Sequence, residues 1–76
     1  MPIVLSGHAQ KRLSERFQLY DEAEIHHYIK NARVEKPFGK EGSIGALQCN
    51  IGDRQIRFVC KIHKKILVVI TVEECG

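Results

Sequence analysis

The feature that most constrains this fold is a change in the spacing of apolar residues near Val34. Before it, apolar residues recur every three or four positions, as in Ala9, Leu13 and Phe17, which is typical of helices with one buried face. After it, apolar and polar residues alternate, as in strands with one buried face. The chain therefore divides into a helical part and a sheet-forming part, which predicts an α+β domain.

Two helices are expected in the first part. Ser6 is a suitable N-cap, because its hydroxyl can accept a hydrogen bond from a free N–H of the first turn, and the first helix is predicted over residues 7–17. The D-x-x-E pattern that begins at Asp21 is a capping box and opens a second helix that ends near residues 31–33. Residues 3–5 are a short apolar lead, either a brief edge strand or a staple onto the first helix.

Three or four strands are expected in the second part. Residues 34–38 form a candidate edge strand, because Pro37 cannot donate a hydrogen bond within a central ladder. Residues 47–51 and 55–62 alternate on either side of a Gly-Asp turn, and residues 66–72 are nearly all apolar, as in a central strand. We expect the two N-terminal helices to pack on one face of a three- to four-stranded antiparallel β-meander.

The predicted core follows from pairing the strands across the Gly-Asp turn. If Ile51 and Arg54 flank this turn, the apolar positions of both strands share one face. The residues expected in a single core, within one domain spanning residues 1–76, are Leu13, Ile25, Ile29, Phe58 and Ile70.

Composition and charge narrow the classes of function. A formal net charge of +3 favours an anionic partner only mildly, because clustering of charge matters more than its total. No apolar run reaches membrane-spanning length and the opening residues lack a signal-peptide pattern, so we expect a cytoplasmic protein without a membrane partner. Three cysteines without CxxC spacing favour neither a disulfide framework nor a zinc ribbon, and no metal or other cofactor is expected.

The first predicted helix carries a candidate phosphate site. His8, Arg12 and Arg16 recur at every fourth residue, so they line up beside the apolar stripe. Histidine exchanges a proton near neutral pH, and arginine offers a planar fork of donors to phosphate oxygens. The same spacing also fits an ordinary solvated helix face, and the residues alone leave both interpretations open.

A second candidate pair comes from the predicted register of the last hairpin. Placing Ile62 opposite Ile66 puts Arg57 across from Thr71 on the outer face of the sheet, with Lys61 opposite Leu67. An arginine beside a threonine hydroxyl offers donors to a phosphate. An ordinary polar cross-strand pair gives the same pattern.

The order His8-Ala9-x-x-Arg12-Leu13-x-Glu15-Arg16, a second amphipathic helix and a meander ending Val69-Ile70-Thr71-Val72 together resemble a known group. They are similar to small bacterial and phage domains related to the RelE and ParE toxins, within the barnase, EndoU, colicin and RelE superfamily. The resemblance covers about residues 5–73 and is most specific in the first helix. It departs at Gln18, where similar sequences often have a glycine that closes the helix.

The resemblance implies metal-independent endoribonuclease activity by attack of the RNA 2′-hydroxyl, and a neutralising, antitoxin-like protein partner. His8 would transfer the proton, arginines would offset charge on the phosphate, and Thr71 would orient a phosphate oxygen. The catalytic residues expected on these grounds are His8, Arg12, Arg16 and Thr71, with Arg57 added by the register argument. Further RNA contacts are expected from Lys11, Lys61, Lys64 and Lys65.

Two other classes of protein stay open beside the endoribonuclease. A non-catalytic nucleic-acid- or protein-binding module, such as a small phage or bacterial regulatory protein, would keep the basic surface without requiring His8. A structural or inhibitor protein would use the sheet edge near residues 34–38. No aromatic side chain is expected to be exposed for base stacking, which argues against sequence-specific reading of single strands.

Overall fold

The computed structural model describes residues 2–75, which form two helices and one five-stranded mixed sheet. The α+β class is confirmed. The elements in chain order are β1 (Ile3–Leu5), α1 (Gly7–Phe17), α2 (Glu22–Lys30), β2 (Arg33–Lys36), β3 (Ile44–Ile51), β4 (Arg54–His63) and β5 (Ile66–Cys75).

The helices begin where the sequence predicts. The Ser6 side chain accepts from the Ala9 N–H at 3.0 Å, and that of Asp21 accepts from the Ala23 N–H at 2.9 Å. α1 covers the predicted residues, and Gln18 closes it in the left-handed region at φ 51°, the conformation that glycine adopts most easily. Gln18 therefore ends α1 in a conformation that usually favours glycine.

The sheet differs from the predicted meander in its strand number and in one direction. Its strand order is β1-β5-β4-β3-β2, and β1 runs parallel to β5, pairing Ile3 with Leu67 and Leu5 with Val69. The prediction of three to four purely antiparallel strands that follow the helices was therefore wrong. β1 comes first in the chain, and α1 and α2 lie between it and the other strands. Because β1 and β5 are far apart in the sequence, no local pattern of residues indicates that they pair.

The β3–β4 hairpin has the predicted register. Ile51 pairs with Arg54 across the turn, and Leu47 pairs with Phe58 on the covered face. Gly52 occupies the turn at φ 65°, where glycine avoids the strain that a Cβ would cause. β2 forms the edge of the sheet, as expected, but it ends before Pro37, whereas the predicted strand ran to residue 38.

The β4–β5 pairing contains a bulge that the sequence analysis missed. Val59 pairs with Thr71 but Cys60 pairs with Val69, so Ile70 is an extra residue in β5. A bulge of this kind shifts the alternation of the strand by one residue. Ile70 is therefore only half-buried and lies outside the predicted core, whereas Val69 and Val72 are both buried.

The register of the β4–β5 turn and the bulge together overturn the predicted outer-face pairs. Arg57 lies opposite Glu73 and not Thr71, and Lys61 lies opposite Val68 and not Leu67. The β4–β5 turn pairs His63 with Ile66, whereas the prediction paired Ile62 with Ile66, and this moves every partner by one residue. The bulge moves the partners beyond Cys60, including that of Arg57, by one residue more.

The core lies between the sheet and both helices. α1 packs over β5 and α2 over β3, and they leave the other, outer face of the sheet uncovered by helices. Four of the five predicted core residues are buried: Leu13, Ile25, Ile29 and Phe58. The other large buried side chains include Ile56, Cys60, Val69 and Val72.

A side-chain cluster joins the last turn of α1 to the ends of β4 and β5. The Arg54 guanidinium lies 4.2 Å from the centre of the Phe17 ring and makes two 2.9 Å hydrogen bonds to the Glu74 carboxylate. It also donates to the Arg16 carbonyl at 2.7 Å. A cation at this position satisfies a free carbonyl and faces the negative end of the helix.

Replacing Ser6 by alanine tests the junction between α1 and the bulge. Ser6→Ala removes the bond from Oγ to the Ile70 carbonyl, 2.7 Å long, and the cap of the Ala9 N–H. We expect the free energy of unfolding to fall by about 1–2 kcal/mol, measured by chemical denaturation. Ser14→Ala is the control, because its hydroxyl bonds only to the Lys11 carbonyl within the same helix; equal losses in the two variants would contradict the junction.

The Arg54–Glu74 pair predicts a pH dependence. The hydrogen bond from Arg54 lowers the pKa of Glu74, so this carboxylate stabilises the fold above the unfolded pKa, about 4.3. That contribution is lost as the pH falls through the folded value. Denaturation at a series of pH values should therefore give a flatter acid profile for Glu74→Gln than for the wild type. Glu24→Gln, at an exposed glutamate of α2, should keep the wild-type profile; parallel profiles for all three proteins would refute the pair's role.

Candidate phosphate-binding surface on α1

Four basic residues line one shallow depression on the exposed side of α1. We call His8, Lys11, Arg12 and Arg16 the α1 basic row. With Glu15 they enclose a volume of about 210 Å³. Three of the predicted catalytic residues, together with one predicted RNA contact, therefore lie side by side. Successive turns of one helix suffice to bring them together.

The α1 basic row borders a free stretch of sheet edge. β1 pairs with β5 only as far as Val69, so within residues 2–75 the second half of β5 has a strand neighbour only in β4. Arg12 is half-buried here, and its Nη1 lies 3.4 Å from the Val72 carbonyl. This contact holds one terminal nitrogen of the guanidinium against the sheet, while Arg12 keeps part of its surface in solvent.

The charge of the row is only partly offset by its neighbours. Lys11 and Glu15 form an exposed pair at 3.8 Å, one turn apart on α1. Such exposed pairs are weak and screened by salt. Arg12 and Arg16 therefore leave the depression with a local excess of positive charge.

Arg57 lies elsewhere, on the outer face of the sheet. Its guanidinium pairs with Glu35, which lies at the bulge of β2, and with Glu73 at 3.5 Å. The hydrogen bond to Glu35 raises the pKa of Arg57. Because Glu35 and Arg57 belong to strands on either side of β3, their pair crosses that strand above the small side chain of Ala46. Arg57 is thus a charge-compensated tie within the sheet.

Thr71 shares the outer face with Arg57 but is not its partner. It pairs with Val59, which is two residues along β4 from Arg57, the partner that the predicted register required. The outer face is turned away from α1, which packs against the covered face of β5. The structure therefore brings His8, Arg12 and Arg16 together, and places Arg57 and Thr71 on another surface.

The remaining predicted lysines lie on other parts of the sheet. Lys61 is on the outer face, and Lys64 and Lys65 form the β4–β5 turn at φ 51° and 63°. The Glu41 carboxylate accepts from the backbone N–H of Lys64 and packs the preceding loop against this turn. Because β5 rises by roughly 3.3 Å per residue, this turn is roughly 20 Å from Val72. Only Lys11 of the predicted RNA contacts belongs to the α1 basic row.

A groove between α1 and α2 was not predicted from the sequence. Its volume is about 460 Å³, and Tyr20, which is 74% exposed, lines its rim. The expectation that no aromatic side chain is exposed was therefore wrong. The signal was present in the sequence, because Tyr20 precedes the Asp21 cap and belongs to neither helical apolar stripe.

The cysteines do not supply a nucleophile in the core. Burial raises the pKa of Cys49 to about 11 and that of Cys60 to about 12, so both thiols are protonated at neutral pH. All three cysteines are free. Within residues 2–75, no three histidine, cysteine, aspartate or glutamate side chains are grouped closely enough to hold a metal ion.

The chain matches no known protein-family model, no curated protein and no solved structure in the three comparisons made. Among the helices of residues 2–75, neither is long and apolar enough to cross a membrane. The α1 basic row and the adjoining groove are therefore the basis for assigning a function.

Replacing Arg57 tests its role as a tie across the sheet. Arg57→Ala removes both contacts that link β4 to Glu35 and Glu73. We expect faster hydrogen exchange at the β2 and β3 amides, because β2 is an edge strand held on one side. Lys61→Ala, on the same strand and face, serves as the control. Unchanged exchange in Arg57→Ala would contradict the tie.

Proposed function

We propose that the protein binds RNA at the α1 basic row and cleaves it without a metal ion, with His8 as the proton-transfer group. The observation that supports this function is the convergence of His8, Arg12 and Arg16 on one depression beside the free edge of β5. The resemblance to RelE-related domains identifies the same three residues. Arg57 and Thr71 are left out of the proposed site, because they lie on the outer face.

The row has the chemistry that an RNA phosphate requires. Arginine donates two parallel hydrogen bonds to phosphate oxygens and keeps its charge at any physiological pH. Arg12 is tethered at one nitrogen by the Val72 carbonyl, so less of its side-chain freedom is lost on binding. Lys11 extends the positive surface by one residue along the exposed side of the helix.

The proposed reaction is an internal transfer within the RNA. The 2′-oxygen attacks the adjacent phosphorus while His8 accepts the 2′-hydroxyl proton. The bond from phosphorus to the 5′-oxygen breaks, and that oxygen takes a proton from solvent. The products are a 2′,3′-cyclic phosphate and a free 5′-hydroxyl. Arg12 and Arg16 offset the negative charge that builds on the phosphate oxygens.

A second candidate function is RNA binding without cleavage. It is favoured by the exposed position of His8. Among residues 2–75, no side chain forms a hydrogen bond that would fix the orientation of its imidazole. Catalytic histidines are usually oriented by a second group. A binding module needs only the charges of the row. An antitoxin-like protein partner is proposed on the resemblance alone.

Replacing His8 separates these two functions. If the protein is an enzyme, His8→Ala abolishes the cyclic-phosphate product, and Arg12→Ala slows cleavage by roughly 10²-fold, as for the loss of one donor to a developing charge. Mixed RNA is incubated with each protein in excess chelator, and the fragment ends are analysed. His27→Ala, at an exposed histidine of α2, is the matched control and should cleave normally.

If the protein binds RNA without cleaving it, the same experiments give different results. The wild type then yields no cyclic phosphate between about pH 5 and 8, where imidazoles titrate. It still binds RNA with an affinity that falls with salt, and Arg12→Ala reduces the slope of that dependence. Absence of both cleavage and salt-dependent binding would refute both functions.

A further inference from the structure

A groove lies beside the proposed phosphate site. It is the groove of about 460 Å³ between α1 and α2, a size typical of small-molecule sites. Its floor is formed by the buried side chains of Leu19 and Ile25 and by Leu5 at the end of β1. Such a floor favours a flat apolar group over a free phosphate.

The rim of the groove combines an aromatic ring with polar atoms. Tyr20 stands in the linker between the helices with most of its ring in solvent. Gln10 donates its amide to the Leu5 carbonyl at 3.3 Å, which leaves its side-chain oxygen for an incoming donor. Glu22 adds a carboxylate that accepts from amino groups and repels phosphate.

Lys11 connects the groove to the α1 basic row. It lines both the groove and the depression that contains His8 and Arg12. The two cavities therefore lie on either side of one exposed lysine on the outer surface of α1. An anionic chain that leaves the row across Lys11 enters the groove directly.

We propose that this groove is a nucleobase subsite, in which a base of the RNA strand held by the α1 basic row stacks on Tyr20. The inference rests on the proposed RNA binding. It adds that the groove holds an unpaired base of a single strand, next to the phosphate bound by the row. Unstacked bases are typically held by an aromatic face and by hydrogen bonds to their edges. The ring of Tyr20 offers the face, and Gln10 and Glu22 offer acceptors for exocyclic amino groups.

Binding of a single-stranded 2′-O-methyl oligonucleotide tests the subsite without cleavage, because this RNA lacks the attacking hydroxyl. Tyr20→Ala should weaken its affinity by roughly 5- to 150-fold, the range for loss of one base–aromatic stack. Tyr20→Phe keeps the ring and should retain wild-type affinity. Val34→Ala is the control, because Val34 is similarly exposed on the far edge of the sheet.

A second measurement follows the ring itself. The chain has two tyrosines and no tryptophan, so in a Tyr28→Phe background Tyr20 is the only fluorophore of its kind. The oligonucleotide should quench this emission, whereas an abasic oligonucleotide of the same length should bind more weakly and leave the emission unchanged.

The outcomes separate this inference from the function on which it rests. If the oligonucleotide binds the wild type in a salt-dependent manner but Tyr20→Ala binds equally well, the subsite is refuted and RNA binding stands. Equal binding of the abasic and base-bearing strands also refutes it. If neither strand binds the wild type, the proposed function itself fails.

Discussion

The bulge in β5 and the side chain of Ser6 that contacts it determine how the rest of the molecule is arranged. The Ser6 N–H donates to the Val69 carbonyl at 3.0 Å, and its hydroxyl donates to the Ile70 carbonyl at 2.7 Å. The same hydroxyl oxygen caps α1. One serine thus joins the start of α1 to the bulge, where the alternation of buried and exposed residues in β5 shifts by one. Because a strand buries alternate residues, this change is what allows both Val69 and Val72 to face the core.

The basic residues divide between two surfaces because α1 packs on the covered face of the sheet, whereas Arg57 projects from the outer face. On the outer face, the observed pairing of β4 with β5 places Arg57 against Glu73, and Glu35 also reaches it. Its charge is therefore used to hold the sheet together. Glu15 shares the depression of the α1 basic row, and Glu74, which lies near Arg16, is bound by Arg54. An anionic ligand meets less competition at the row than on the outer face.

Local sequence patterns predicted the local structure correctly, but they did not predict how distant strands pair. The Ser6 cap, the bounds of α1 and the turn between Ile51 and Arg54 depend on a few neighbouring residues, and all three were predicted correctly. The pairing of β1 with β5 and the bulge at Ile70 were missed, because β5 is apolar on both sides of the bulge and its sequence carries no alternation to fix a register. Of the site, the row followed from helical periodicity alone. The groove required knowledge of how α1 and α2 pack.

Both ends of α1 are anchored, and this bears on what its exposed surface can do. Ser6 ties its first turn to the bulge, and Arg54 bonds to the Arg16 carbonyl in its last turn while stacking on Phe17. The helix therefore presents the row and the groove at a fixed separation, on opposite sides of Lys11. A site whose parts are held in place before binding loses less entropy when a ligand is bound. A single strand with a phosphate in the row and a base in the groove fits that arrangement, because each of its repeating units carries one charge and one flat apolar face.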